Sequence, residues 1–321
     1  MIRDVNITDT GIQFVDKIND NFGEIESLIS TKFPATECLA AFVAKMNEVA
    51  KDLGCSDITH FANPSGIIAD GENHKVTAND FIRITSAYSL ENNLLALNTY
   101  RDIDVVIHHQ NGINETVTLS PSYMQTTGES AELNLHYDIL GGKTGSWYWS
   151  GVYTTKTLTI LARSKVHEGR LMAGYLRVRT YDTNSFDKMK LLFDALEAGS
   201  ASTTIQDVTN AAACYVPFNV YGVKNVDYVD LSLYGDVAID PASTTKLLTN
   251  IIVCKYLPLD ANIEIIASDI QIGSGITLSA GDKMSVRDAI IACMYSSSNT
   301  IATTLGRVVG GIILNNQLIT M

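Results

Sequence analysis

Apolar residues recur along the chain at two spacings, three-to-four and two, and the alternation between them divides it into helical and extended stretches. Between residues 36 and 53, Leu39, Phe42, Val43, Met46, Val49, Ala50 and Leu53 fall on one helical stripe, with Pro34 ahead of it and Gly54 placed as its C-cap. Thr59–Gly66 carries turn chemistry around Pro64 and Gly66. Thr77, with Asp80 three residues on, predicts a helix running to about Ser89. Strands are expected at 103–109 and 115–119. From 139 to 181 the period is two. Gly141-Gly-Lys-Thr-Gly145 precedes strands expected at Tyr148–Thr154, Lys156–Ser164 and Leu171–Arg179, an antiparallel meander with polar turns such as His167–Arg170. A helix at about 184–198 follows, then the small polar run Gly199–Asp207, which reads as a linker. Strands at Ala211–Val220 and Val229–Leu233 lead into a helix beginning near Ser243, and 285–295 is helical with one apolar side. These elements predict a mixed α/β protein of the α+β kind, an antiparallel sheet flanked by helices, with a second all-α subdomain.

Residues 1–33 stand apart as an N-terminal helical appendage. Val15, Ile18, Phe22, Ile25 and Ile29 are spaced 3, 4, 3, 4, the spacing of a coiled-coil seam, which lasts about two heptads and is interrupted by Gly23. Such a stripe is buried either on the body of its own chain or on copies of itself. Both are open, and the second makes the chain a homo-oligomer through residues 12–29. Lys17–Phe22 resembles the opening segments of some phage and prophage tail-associated proteins.

At 321 residues the chain is long enough for two subdomains sharing an interface. A formal net charge of −12 argues against nucleic acid or an anionic membrane surface as partner. No run approaches the length of a membrane span, and the first residues lack the apolar core of a secretory signal, so neither is expected. Five cysteines, Cys38, Cys55, Cys214, Cys254 and Cys293, make an odd count among apolar neighbours, which predicts reduced, buried thiols. His108 and His109 are neighbours on an expected strand and so face opposite ways. No pair has metal-ligand spacing, and neither metal nor cofactor is expected.

Candidate chemistry begins at Ser243-Thr-Thr-Lys246, where a hydroxyl and an amine lie one helical turn apart. A lysine held neutral by burial or a nearby positive charge can take the serine proton. Ser185 and Lys188 have the same spacing, but they follow Asn184 as a cap and open the amphipathic run Met189, Leu191, Leu192, Ala195, Leu196, an ordinary helix. Ser243 differs in its company: Ser297-Ser298-Asn299 and Lys143-Thr144-Gly145 complete a three-part signature of penicillin-recognising serine enzymes. Ser130–Asn134 is superficially similar to the deacylating loop of class A β-lactamases, but Ser130 stands where the carboxylate would be and the run lies too close to Lys143.

With their flanks, these residues resemble the D-alanyl-D-alanine carboxypeptidases and other penicillin-binding proteins of the β-lactamase/transpeptidase-like superfamily, with the halves exchanged. Residues 211–311, with Pro241–Thr249, Gly273–Gly275, Leu278–Asp282 and Ser297–Leu305, resemble the family's first half. Residues 41–198, with Ala41–Gly54, Phe61–Gly66 and Gly141–Gly145, resemble its second. The resemblance implies a circularly permuted domain over 34–321, in which 34–198 is the second half, 199–207 the linker and 208–321 the first half. The new ends would fall in the all-α subdomain, after Gly310-Gly311 and before Cys38. By the same resemblance Ser243 is the nucleophile, Lys246 its base and Ser297 the relay to the leaving amine. Asn299 would hold Lys246 and a substrate amide, Lys143 and Thr144 the terminal carboxylate, while Gly145 would let substrate approach. The N–H groups of Ser243 and Ser146 would form the oxyanion hole. Thr300 departs from the family, which carries Asp there.

The implied activity is serine-type D-Ala-D-Ala carboxypeptidase action on peptidoglycan stem peptides through an acyl-enzyme, with β-lactams as covalent inhibitors. Two other classes stay open: a catalytically silent structural or receptor-binding module of a phage tail-like assembly, and an esterase or amidase with the same triad. The cell wall as substrate, without a visible leader, points to a virion-associated or non-classically exported protein.

Overall fold

The stripe that begins near Leu39 becomes helix α1 (Ala35–Asp52), whose buried side chains are Cys38, Phe42, Met46, Val49 and Ala50. It is part of a computed structural model that describes residues 32–67, 73–149, 152–167, 169–200, 204–217 and 229–319. The seam in residues 12–29, and the self-association expected of it, lie outside those residues, as does the middle of the 199–207 linker. Gly54 ends the first helix in the left-handed region at φ 79°, as its C-cap position requires. Thr77 caps α2 (Ala78–Tyr88) by accepting from Asp80 N at 3.0 Å. The Asp80 carboxylate does not return to the cap; it accepts instead from Ser56 N, Ser56 Oγ and Thr59 Oγ1 and so fastens the turn after α1. A short α3 (Asn92–Asn98) leads to the hairpin β1 (Ile103–His108) and β2 (Asn114–Leu119).

After α4 (Ala131–His136) come the two longest strands, β3 (Tyr137–Trp149) and β4 (Val152–Ser164). The sequence pattern placed a separate strand at Tyr148–Thr154. The chain instead carries Lys143-Thr-Gly through the interior of β3, which pairs with β4 as far as Trp149↔Val152. A register shift between Ile139 and Gly141 interrupts the pairing where the chain passes the ring of Tyr88, whose hydroxyl donates to Leu140 O. Next are β5 (Leu171–Val178), α5 (Ser185–Glu197) capped by Asn184, β6 (Val208–Tyr215) and β7 (Leu231–Leu233). The remaining elements are α6 (Lys246–Tyr256), β8 (Asn262–Glu264), β9 (Lys283–Ser285), α7 (Val286–Tyr295) and α8 (Asn299–Ile319).

The strands form two antiparallel sheets, ordered β3-β4-β5-β6-β7 and β2-β1-β9-β8. In the larger, β5 pairs with β6 from Met172↔Tyr215 to Val178↔Val208, which joins the segments before and after the linker. Its two faces follow the alternation of side chains. Met172, Leu176 and Val178 face α5 with Phe186, Met189 and Phe193, whereas Ala173 and Tyr175 face α2 and the main helical core. Gly174 lets α5 sit close: a Cβ there would lie 2.6 Å from Met189 Sδ. In the all-α region Gly306 and Gly310, one turn apart on α8, present backbone to α1, Gly310 directly under Cys38. Gly310-Gly311 does not end the helix, because this buried contact replaces the solvent that would fray it. Lys32 Nζ donates to Asn315 Oδ1 at 3.2 Å, so the start of α1 and the end of α8 are neighbours.

The described residues therefore form a mixed α/β protein with eight α-helices and two antiparallel sheets. Among them no helix is long and apolar enough to cross a membrane, and no group of His, Cys, Asp and Glu could hold a metal ion. All five thiols are free; Cys38, Cys214 and Cys293 are buried, Cys55 and Cys254 half-buried.

Candidate active site

Ser243 does not lie in an α-helix. It sits in a 3-10 turn, Ala242–Thr245, and Lys246 opens α6. The reason is backbone strain just upstream: Ala242 is in the left-handed region at φ 50°, which costs about 1 to 3 kcal/mol and cannot continue a regular helix. The turn is held by the Pro241 carbonyl, which accepts from Thr244 Oγ1 at 2.6 Å and from Thr157 Oγ1 of β4 at 2.9 Å.

The i, i+3 spacing still brings the two side chains together. Lys246 Nζ is fully buried and 2.9 Å from Ser243 Oγ, 2.6 Å from Ser65 O and 2.8 Å from Asn299 Oδ1. A neutral amine has two N–H donors and one lone pair. Ser65 and Asn299 present carbonyl oxygens, which only accept, and Ser243 presents a hydroxyl, which donates or accepts. The ammonium form donates to all three oxygens; the free base donates to the two carbonyls and takes the serine proton at nitrogen, so both states satisfy the contacts. Burial lowers the Lys246 pKa to about 7, and repulsion from Lys143 adds to it. Asn299 is oriented by donating Nδ2 to Ile272 O at 3.0 Å.

The Ser65 carbonyl comes from the Phe61–Gly66 loop, read in the sequence only as turn chemistry and family likeness. Asn63 Oδ1 accepts from Ser65 N at 3.1 Å and Gly66 N at 2.8 Å, an Asx turn that points Ser65 O at the lysine. Gly66, at φ 80°, lies against the nucleophile turn; a Cβ there would be 2.5 Å from the Ala242 carbonyl carbon and 2.9 Å from Thr245 Oγ1. Thr249 Oγ1 fastens the same loop by donating to Pro64 O at 2.7 Å.

Edge strand β3 runs along the other side. A Cβ on Gly145 would be 3.0 Å from Pro241 O and 3.1 Å from Ser243 N, so the glycine allows the strand to pass against the nucleophile turn. Lys143 is buried and donates to Thr144 O at 3.0 Å; burial lowers its pKa to about 8. Thr144 is half-buried and Ser146 exposed. Under the two lysines lies Cys293, which interacts electrostatically with both and whose own thiol is pushed up by burial. Nothing in its sequence context signalled that place.

Ser297 is the expected member that is not engaged. It is half-buried at φ 60°, between α7 and α8, and its hydroxyl hydrogen-bonds to no described residue. The family likeness implies that Ser297 bridges Lys246 and Lys143, directly or through one water; among the described residues no direct hydrogen bond joins it to either, and the Lys143 amine donates to Thr144 O of its own strand. Thr300 has a structural role, accepting from Gln271 N at 3.0 Å and so holding the loop that carries Ile272. Ser185 is buried at the start of α5 and makes no hydrogen bond with Lys188, in keeping with an ordinary helix. No family model, curated protein or solved structure matches the chain.

Proposed function

We propose that the protein is a serine acyl-transfer hydrolase of the D-Ala-D-Ala carboxypeptidase kind, on a circularly permuted β-lactamase/transpeptidase-like fold. One observation carries the reading: a fully buried Lys246 amine, its pKa lowered by that burial, lies 2.9 Å from Ser243 Oγ, the partner able to give its free base a proton. Attack by Ser243 Oγ on a carbonyl carbon passes the hydroxyl proton to Lys246 Nζ and forms a tetrahedral intermediate. Its oxyanion faces the N–H groups of Ser243 and Ser146, each donor contributing about 3 kcal/mol in sites of this kind. Collapse expels the leaving amine, which takes a proton from Lys246 by way of Ser297, whose unengaged hydroxyl is available for that relay. Water then releases the acyl group.

Among the described residues β3 is an edge strand, which suits an extended peptide added as a further strand, with Lys143 and Thr144 meeting a terminal carboxylate. That chemistry favours peptidoglycan stem peptides, with β-lactams as covalent inhibitors. The test is incubation with a labelled penicillin followed by peptide mapping. Label on Ser243, absent in Ser243→Ala, is expected. A folded protein that never labels and turns over no ester defeats the reading in favour of a silent binding module. Ester turnover without penicillin labelling favours the esterase or amidase.

A further inference from the structure

His74 is fully buried beside the site. Its ring lies between the Phe61–Gly66 loop and the nucleophile turn. Nδ1 is 3.2 Å from Ala62 N, which donates, so Nδ1 is unprotonated. Nε2 therefore carries the proton and donates to Thr245 Oγ1 at 3.0 Å. Phe61 packs edge-on against the imidazole at 5.6 Å between centroids. Burial lowers the His74 pKa to about 3, and the neighbouring His60, Lys75 and Lys246 act in the same direction, so the ring keeps one tautomer throughout the neutral range.

The two hydrogen bonds reach the two segments that enclose Lys246. Ala62 belongs to the loop whose Ser65 carbonyl meets the amine, and Thr245 immediately precedes Lys246. We propose that His74 is a positioning residue that fixes the separation of loop and turn, keeping the Lys246 amine dry and its acceptors in place, a role that rests on Lys246 acting as the base. Neutral imidazole suits it because one nitrogen accepts while the other donates across the gap. Loss of the bond to Thr245 would let the segments part and admit water. Desolvation, the largest influence on Lys246, would then weaken and its pKa would rise.

The experiment is side-chain NMR of the full chain labelled with 13C at lysine Cε, with the Lys246 signal identified by its loss in Lys246→Ala. His74→Asn keeps an acceptor near Ala62 N but has no donor for Thr245. His74→Gln places an amide N–H near the position of Nε2. Lys143 and Cys293, the other titratable groups facing Lys246, are untouched in both. Wild type should titrate near 7, His74→Asn about half a unit or more higher, cutting the neutral fraction at pH 7 by about half or more. His74→Gln should return most of the way. Thr245→Val should match His74→Asn, and the double variant should add nothing further. An unchanged titration in His74→Asn, even with a lowered melting temperature, or a His74→Gln shift as large as that of His74→Asn, overturns the proposal. Because no substrate is involved, a protein that titrates as expected and never labels with penicillin defeats only the hydrolase reading.

Discussion

At the scale of the residue, the proposed mechanism gives two buried lysines different work according to charge. Lys246 acts as a base only when neutral, and its pKa of about 7 makes that form about half of the population at neutral pH. Lys143 meets a carboxylate only when charged, and its pKa of about 8 ends that form soon above neutrality. Acylation by a carboxylate-bearing penicillin should therefore rise as pH passes about 7 and fall above about 8, the two limbs belonging to the coupled pair. Lys143→Met removes the repelling charge, so Lys246 binds its proton more tightly and the rising limb should move to higher pH. Stopped-flow acylation from pH 5.5 to 9.5, a range on the order of four units that spans both reference values, checks this. A rising limb that stays in place would show that the lysines do not interact.

At the scale of the element, the site depends on how closely β3 passes the nucleophile turn. Gly145 has Thr157 Oγ1, Pro241 O and Ser243 N against the position of a Cβ, and two of these belong to the turn itself. Gly145→Ala must push the strand away or tilt the turn. Overpacking of this kind costs about 1 to 3 kcal/mol, to be read from urea unfolding. Acylation should slow by about tenfold or more, since a misplacement near 1 Å can cost that much. A variant that loses stability but acylates at the wild-type rate would show that the close approach serves packing alone.

At the scale of the whole molecule, the halves before and after the linker are knitted together by β5 with β6 and, more lightly, by β1 with β9 at His108↔Lys283 and by the bridge Val76↔Ile239. Neither half holds a complete site, because Lys143 and Ser65 come from one and Ser243, Lys246 and Asn299 from the other. The start of α1 and the end of α8 meet at Lys32 and Asn315. A chain rearranged to run from 204 to 319, through a short flexible linker, and on from 34 to 200 should therefore fold to the same structure and acylate at a comparable rate. Circular dichroism melting and penicillin labelling test it. A rearranged chain that is soluble but unfolded would mean that the present order of segments is required, against the permutation reading.

What could be read from the sequence was what nearest neighbours decide. The α1 stripe, the Thr77 and Asn184 caps, the Gly54 stop and the one-turn spacing of Ser243 and Lys246 each depend on a few adjacent residues and on helix or strand periodicity. Each appears in the structure within a residue or two of its expected place. The strand break expected near Tyr148 failed for the same reason in reverse: cross-strand pairing along β4, a non-local term, carried β3 through it. Nor could any local pattern say that Lys246 is dry, that Ser65 O reaches it from 181 positions away, or that Cys293 and His74 lie beside the site. Those facts follow from burial, and the desolvation that sets the base, like the repulsion from Lys143, exists only when segments distant in the chain are packed together.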